Sequence, residues 1–275
     1  MLHYTERSHA GWHMKTNRKN IFLGILTALL AVVLSVFMYV DAKSGAVVPV
    51  LMYHSIHADE GTSLFVSPEV FAKQMEFLYK RHYNVVSPDK IIAYMTKKEN
   101  MPIMTVAITA DDGFYNFYKY GYPILKKYNM PAILFIITDK IGKPGRLGWD
   151  ELREMSDSGL ITVGCHTKSH PWLPTVSVDE KRLKEEIVVS KEILEKGLGK
   201  KVDYLCYPNG GFNDLIKDFA KKAGYKGGFT TNPDRSSAID DIYAIRRLKM
   251  SSSSVDPLIL WGKISRYYAW FKENR

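Results

Sequence analysis

The chain has 275 residues, 46% of them apolar, a formal net charge of +9 and only two cysteines. Such a composition can bury a substantial core and excludes a disordered chain or a small disulfide-stapled scaffold. Residues 47–275 carry 33 basic against 27 acidic side chains, scattered along helical segments such as 181–201 without an Arg-rich cluster; no nucleic-acid partner is expected from this.

The first element in chain order is not part of a globular fold. Ile21 to Val40 reads IFLGILTALLAVVLSVFMYV, twenty residues without a charge, which is about what a helix needs to cross a bilayer. Lys15, Arg18 and Lys19 stand before it and Asp41 after it. The positive-inside rule then predicts a cytoplasmic segment 1–20, a signal-anchor helix 21–40, a linker 41–47 and an extracellular domain 48–275. A cleaved signal peptide, cut near Ala42 to Ala46, is the alternative; its apolar core is usually shorter, roughly 7–15 residues, and no clean A-x-A site follows here. Met14-Lys15 resembles the ordinary start of an anchor, and residues 1–13 carry no fold signal.

From Val48 onwards short apolar runs alternate with longer amphipathic ones. Val48 to His54 predicts a strand. Ser67-Pro68 and Ser87-Pro88 each open a helix with a cap and a proline at its first position. Strands are expected at 84–86, 105–109 and 132–137, with helices at 118–128 and 149–158. A further strand at 162–166 precedes a capping box, Ser177-Val178-Asp179-Glu180, and the longest helix. Strands at 204–207, 228–230 and 243–248 enclose a helix at 214–223, and an aromatic-rich helix, 255–271, closes the chain. This alternation predicts a parallel sheet, and eight or so units favour a (β/α)7-8 barrel over a doubly wound open sheet. No G-x-G-x-x-G or P-loop follows the first strand.

The unusual polar residues all follow predicted strands: His54, Asp111-Asp112-Gly113, His166-Thr167-Lys168-Ser169-His170, and Tyr207-Pro208-Asn209-Gly210. In an α/β barrel that end is where active sites are built. Two adjacent carboxylates oppose each other's ionisation if buried, and a divalent cation relieves this. Two histidines four apart with one aspartate form an N2O ligand set with open positions, suited to catalysis. The second aspartate is then available as a base towards a water that the ion has made acidic. Zinc heads the cations that fit such a set, with cobalt, nickel, iron and manganese also compatible. His3, His9, His13 and His82 have no such company. Cys165 and Cys206 are read as free thiols, and Trp149 and Trp172 as either sugar-stacking or core rings.

Thr109-Ala110-Asp111-Asp112-Gly113 together with His166-Thr167-Lys168-Ser169-His170 resembles the first two motifs of the NodB-homology polysaccharide deacetylases, carbohydrate esterase family 4. The segments Pro49 to Ser55 and Cys206 to Gly210 look most like its biofilm poly-N-acetylglucosamine deacetylase branch. The resemblance runs from about Val48 to Met250. It implies a distorted barrel of the NodB-homology type, a divalent metal, and hydrolysis of N-acetyl amides on an N-acetylglucosamine-containing cell-wall or extracellular polysaccharide. By the same resemblance Asp111 is the general base, Asp112, His166 and His170 are the metal ligands, and the Asn209 backbone N–H faces the oxyanion. Three departures stand out. Ala110 replaces an aromatic residue, and Cys206 replaces an arginine thought to orient the base, for which Arg247 is the candidate substitute. No histidine follows His170, so the role of general acid passes to His54. A tethered glycan-binding protein on an inactive scaffold is the rival reading.

Overall fold

A computed structural model describes residues 18–44, 48–57, 65–231, 241–252, 256–265 and 268. The expectations for 1–17 and 45–47, for His3, His9 and His13, and for 255, 266, 267 and 269–271 of the closing helix lie outside those residues. The chain divides into two compact units, Met1–Lys43 and Ser44–Arg275.

A single helix spans Arg18–Ser44, all but its last residue in the first unit, and its apolar side chains from Ile21 to Val36 are exposed. Described side chains run unbroken only over those sixteen residues, and among the described residues no helix is long and apolar enough to cross a membrane. The expected crossing over 21–40 is thus carried by the sequence and not by the structure.

The second unit is an α/β fold built on a curled parallel sheet. Its strands are β1 (Val50–Tyr53), β4 (Asn84–Val85), β5 (Thr105–Ala110), β6 (Ala132–Ile136), β7 (Ile161–Cys165), β8 (Tyr204–Cys206), β9 (Gly227–Phe229) and β10 (Leu248–Lys249). They run in the order β10-β1-β5-β6-β7-β8-β9, with β4 also paired to β5. Every pair is parallel. A separate pair that the sequence did not suggest joins β2 (Ser55–Ile56) to β3 (Phe65–Val66).

The predicted last strand over 243–248 is corrected. Its first part bonds to β9, with the Ile245 N–H donating to Gly228 O at 2.8 Å and Thr230 N–H to Ile245 O at 2.9 Å. Only Leu248–Lys249 pairs with β1. One short segment therefore serves both free edges of the sheet, and neither pairing is long enough to show the full strand's periodicity. The longest helix is also started differently: Asp179, not Ser177, is its cap and accepts from the Arg182 N–H at 3.1 Å. It runs through Glu180–Lys184, a π-helical turn Glu185–Val189 and Ser190–Leu198. Of the closing helix expected over 255–271, Pro257–Lys263 is helical among the described residues, with Trp261 exposed.

Because strand side chains alternate in direction, the strands feed two separate cores. Leu51, Ile108, Leu134, Val163 and Leu205 belong to the larger core, packed with the helices. Val50, Ala107, Phe135, Tyr204, Cys206, Phe229 and Ile245 form the smaller one within the curl. Gly164 makes room there, since a Cβ on it would stand 2.5 Å from the Phe135 ring and 3.2 Å from Tyr204 O. Gly164→Ala should therefore overpack the inner core and cost about 1–3 kcal/mol, read as a lowered urea midpoint. Phe135→Leu in the same chain should recover part of that loss. Equal midpoints for parent and Gly164→Ala would remove the packing argument.

Candidate active site

The parity that fills the inner core also delivers the site. Thr109 and Asp111 continue the inward alternation of Ala107 on β5, Cys206 continues that of Tyr204 on β8, and Arg247 continues that of Ile245. At the top of the curl these side chains meet. Asp111 and Arg247 are 1% and 2% exposed, and form a two-pronged pair: Nη1 donates to Oδ1 and Nη2 to Oδ2, both at 2.7 Å. The remaining guanidinium donors reach Thr230 O at 3.0 Å, Thr109 Oγ1 at 3.1 Å and Cys206 Sγ at 3.0 Å. Below it lies the Phe135 ring, 5.5 Å from the guanidinium carbon. Burial pushes the Asp111 carboxyl up, but the Arg247 charge and hydrogen bonds more than offset this and hold it well below the usual carboxylate range. Burial likewise pushes the Cys206 thiol far up, so it stays a neutral neighbour. Cys165 and Cys206 are both buried and unbridged.

The neighbouring aspartate faces a different set of partners. Asp112 has a left-handed backbone (φ 71°), as do Thr167 (64°), His170 (66°) and Asn209 (53°). Left-handed non-glycine residues cost of order 1 kcal/mol each, and they gather here because chain direction must reverse sharply at several strand ends. Asp112 Oδ1 lies 3.7 Å from both His166 Nε2 and His170 Nε2. His166 Nδ1 stands 2.9 Å from Cys206 O. A carbonyl can only accept, so Nδ1 is the donor and Nε2 presents its lone pair. Burial lowers the His166 pKa despite Asp111 and Asp112, which favours this neutral form. Ligand atoms of Asp112, His166 and His170 all lie within 4.8 Å of one another. Ligands about 2.1 Å from a tetrahedral zinc would be about 3.4 Å apart, close to the observed spacing. The donor set therefore fits a divalent cation.

His54 follows β1 directly, with Nε2 4.0 Å from Asp111 Oδ2, and His166 Nε2 is 3.9 Å from the same oxygen. Burial lowers the His54 pKa, opposed by Asp111 and Asp112. Asn209 is exposed on the turn Pro208–Gly210 after β8, whose Pro208 is buried. That turn is tied to β9 by Thr230 Oγ1 donating to Gly210 O at 3.0 Å, and a Cβ on Gly210 would stand 2.3 Å from Thr231 Oγ1. Trp172 is 45% exposed and lies against Gly211 of the same turn. Trp149 instead covers Gly197 as part of the larger core's margin, so it is a packing ring.

Several neighbours escaped the sequence reading. Arg146 Nη1 donates to Asp112 O at 2.6 Å and its guanidinium carbon lies 3.9 Å from the Phe114 ring centroid. Asn116 bonds Ser55 Oγ and accepts from the Ile56 N–H, fixing the chain just after His54. Glu186 accepts from the backbone between His166 and His170. Nothing local marks these residues. A run of three site-facing polar groups on one helix would have, but each stands alone.

The polysaccharide deacetylase family model matches residues 98–228. The Bacillus subtilis (strain 168) protein YxkH is 31% identical over 213 residues, 78% of this chain and 75% of its own. The poly-beta-1,6-N-acetyl-D-glucosamine N-deacetylase of Staphylococcus aureus (strain MRSA252) is 31% identical over 205 residues, 70% of each chain. Among solved structures, the Streptococcus pyogenes deacetylase PplD in complex with acetate superposes with a TM-score of 0.73 at 29% identity, covering 79% of this chain and 98% of that one. With this identity and coverage, and a family model that spans both aspartates and both histidines, the chain belongs to the polysaccharide deacetylase family and is a deacetylase hydrolase.

Proposed function

We propose that the protein hydrolyses N-acetyl groups of an extracellular or cell-wall N-acetylglucosamine-containing polysaccharide, with a divalent cation, zinc first, held by Asp112, His166 and His170. One observation carries this reading: adjacent carboxylates with different surroundings, Asp111 clamped by a guanidinium and Asp112 set against two imidazoles. The substrate class is supported by the polymer named for the Staphylococcus aureus relative. When bound, the cation supplies Lewis-acid polarisation of the acetamide carbonyl and makes water easier to deprotonate.

The chain's own residues divide the remaining work. Asp111 accepts a proton from the attacking water while the water oxygen bonds to the acetyl carbon. Held ionised by Arg247, Asp111 is a weak base, so it depends on water of raised acidity. The Asn209 backbone N–H faces the developing oxyanion, whose charge such a preorganised donor stabilises. His54 gives a proton to the leaving nitrogen as the C–N bond breaks, releasing acetate and a free amine. A donor of lowered pKa is the stronger acid, at the cost of a smaller protonated fraction at neutral pH. Trp172 offers a ring face beside the turn that carries Asn209. The helix over 21–40 anchors the domain on the outer side of the membrane.

Acetate release from N-acetylglucosamine oligomers, with zinc content measured in parallel, tests these roles. Asp112→Ala should lose both cation and turnover. Asp111→Asn should keep the cation and lose about 10²–10⁴ in rate; His54→Ala should keep the cation and lower kcat. Oligomer binding without acetate release by the zinc-loaded parent would mark a glycan-binding protein instead, and equal cation loss in both aspartate variants would end the division of labour.

Arg247→Met should destabilise the cation-free protein at neutral pH by about 3–5 kcal/mol, because it strands a buried carboxylate. Since the folded Asp111 pKa is depressed, the pair's contribution is full above the unfolded carboxylate value of about 3.9 and is lost as pH falls towards the folded one. Denaturant titrations with chelator should show the gap between parent and variant closing in acid. Equal stability at neutral pH would contradict the clamp.

In intact cells external protease should reach the domain after Gly45, and the protein should sediment with membranes. A soluble species starting near residue 45 would show cleavage, and complete protection from protease would reverse the orientation.

A further inference from the structure

We propose that Glu186 is the positioning residue that sets the spacing of His166 and His170, an inference that rests on the cation site proposed above. Glu186 is a carboxylate only 4% exposed. Among the described residues no basic side chain lies within ion-pair distance of it; the hydrogen-bond partners of its carboxylate all belong to the loop between the histidines. Oε2 accepts from the Lys168 N–H at 2.9 Å and the Ser169 N–H at 2.8 Å, and Oε1 accepts from Ser169 Oγ at 2.5 Å. A buried charge without such donors costs several kcal/mol, so the helix and the loop hold each other in one arrangement.

That arrangement is one the loop would not adopt unaided. Thr167 and His170 are both left-handed, in a stretch where neither is glycine. The His170 N–H donates to Thr167 Oγ1 at 3.1 Å, while Thr167 O and Lys168 O accept from the Thr138 and Asp139 N–H groups at 3.2 and 3.0 Å. Glu186 supplies the remaining side of the grip, and it does so from the π-helical turn Glu185–Val189. A π turn accommodates an extra residue and is frequent at functional sites. Here it lets Glu186 and Ile187 be buried together, the first against the loop and the second in the larger core. The two histidine rings, edge to face at 4.7 Å, hang from the two ends of the gripped segment. Loss of the grip frees His170 to leave the shared focus with Asp112.

Zinc affinity by competition with a chromophoric chelator, together with the visible spectrum of the cobalt-substituted protein, tests this on the full chain. Groups that orient metal ligands typically contribute about 10–100-fold in affinity. Glu186→Gln keeps the shape but removes the charge, and should weaken zinc by about tenfold or more and alter the cobalt spectrum. Ser169→Ala removes one of three bonds and should weaken it less. Ile187→Val, a core change in the same turn, should lower the thermal midpoint without moving zinc affinity. Parent-like zinc affinity and cobalt spectrum in folded Glu186→Gln, with binding abolished in Asp112→Ala, would overturn the inference alone. So would an equal affinity loss in Ile187→Val. Asp112→Ala binding zinc as tightly as the parent would overturn the cation site itself and the inference with it.

Discussion

A single buried guanidinium holds the upper end of the sheet together. Arg247 leaves the segment that bridges the sheet's two edges and bonds to groups at the ends of β5, β8 and β9: Asp111 and Thr109, Cys206, and Thr230. Parallel strands bring all their carbonyl ends, and the turns that follow, to one face. A charge buried there must find a partner or be expelled. The Asp111–Arg247 pair meets that demand and places a carboxylate of fixed orientation within about one water's reach of the histidines. Replacing such a pair by apolar side chains is often neutral or stabilising, so its presence is better explained by what the carboxylate does than by stability.

The contrast between Asp111 and Asp112 follows from strand geometry. Consecutive strand residues point to opposite faces, and Asp111 takes the inward face. Asp112 would have pointed into the helix-side core had β5 continued. The strand ends at Ala110, and the left-handed turn at Asp112, held by Arg146 on its carbonyl, brings that carboxylate towards His166 and His170 instead. Gly113 completes the turn at φ 65°. One dipeptide thereby supplies a clamped carboxylate and a ligand-like one, without the mutual repulsion that two carboxylates in a shared environment would suffer.

Cys206 bears on the same geometry. The family pattern has an arginine at this position in the third motif, and an arginine here would rise from β8. A thiol is small and neutral, and its inward position leaves the volume that the Arg247 guanidinium fills from the neighbouring segment. The Cys206 carbonyl meanwhile accepts from His166 Nδ1, so the backbone of this residue orients a histidine while its side chain yields space.

Much of this was legible in the sequence. The apolar runs, the Ser-Pro helix starts and the strand-helix alternation are local signals, and they fixed the α/β class and the positions of eight parallel strands to within a few residues. They also fixed that His54, Asp111, Asp112, His166, His170 and Asn209 share one face, because each follows a strand. Where local signals were weak the reading slipped: the bridging segment before β10 is too short for periodicity, and Ser177 and Asp179 are equally good caps by type. The pairing of Arg247 with Asp111 spans 136 positions, and the Glu186 grip joins a helix to a loop eighteen and seventeen residues away. Such partners are chosen by side-chain reach and by the need to satisfy buried charge after the sheet has curled. Residue order alone encodes neither, so the chemistry of each group was written in the sequence while its surroundings were decided by the tertiary structure.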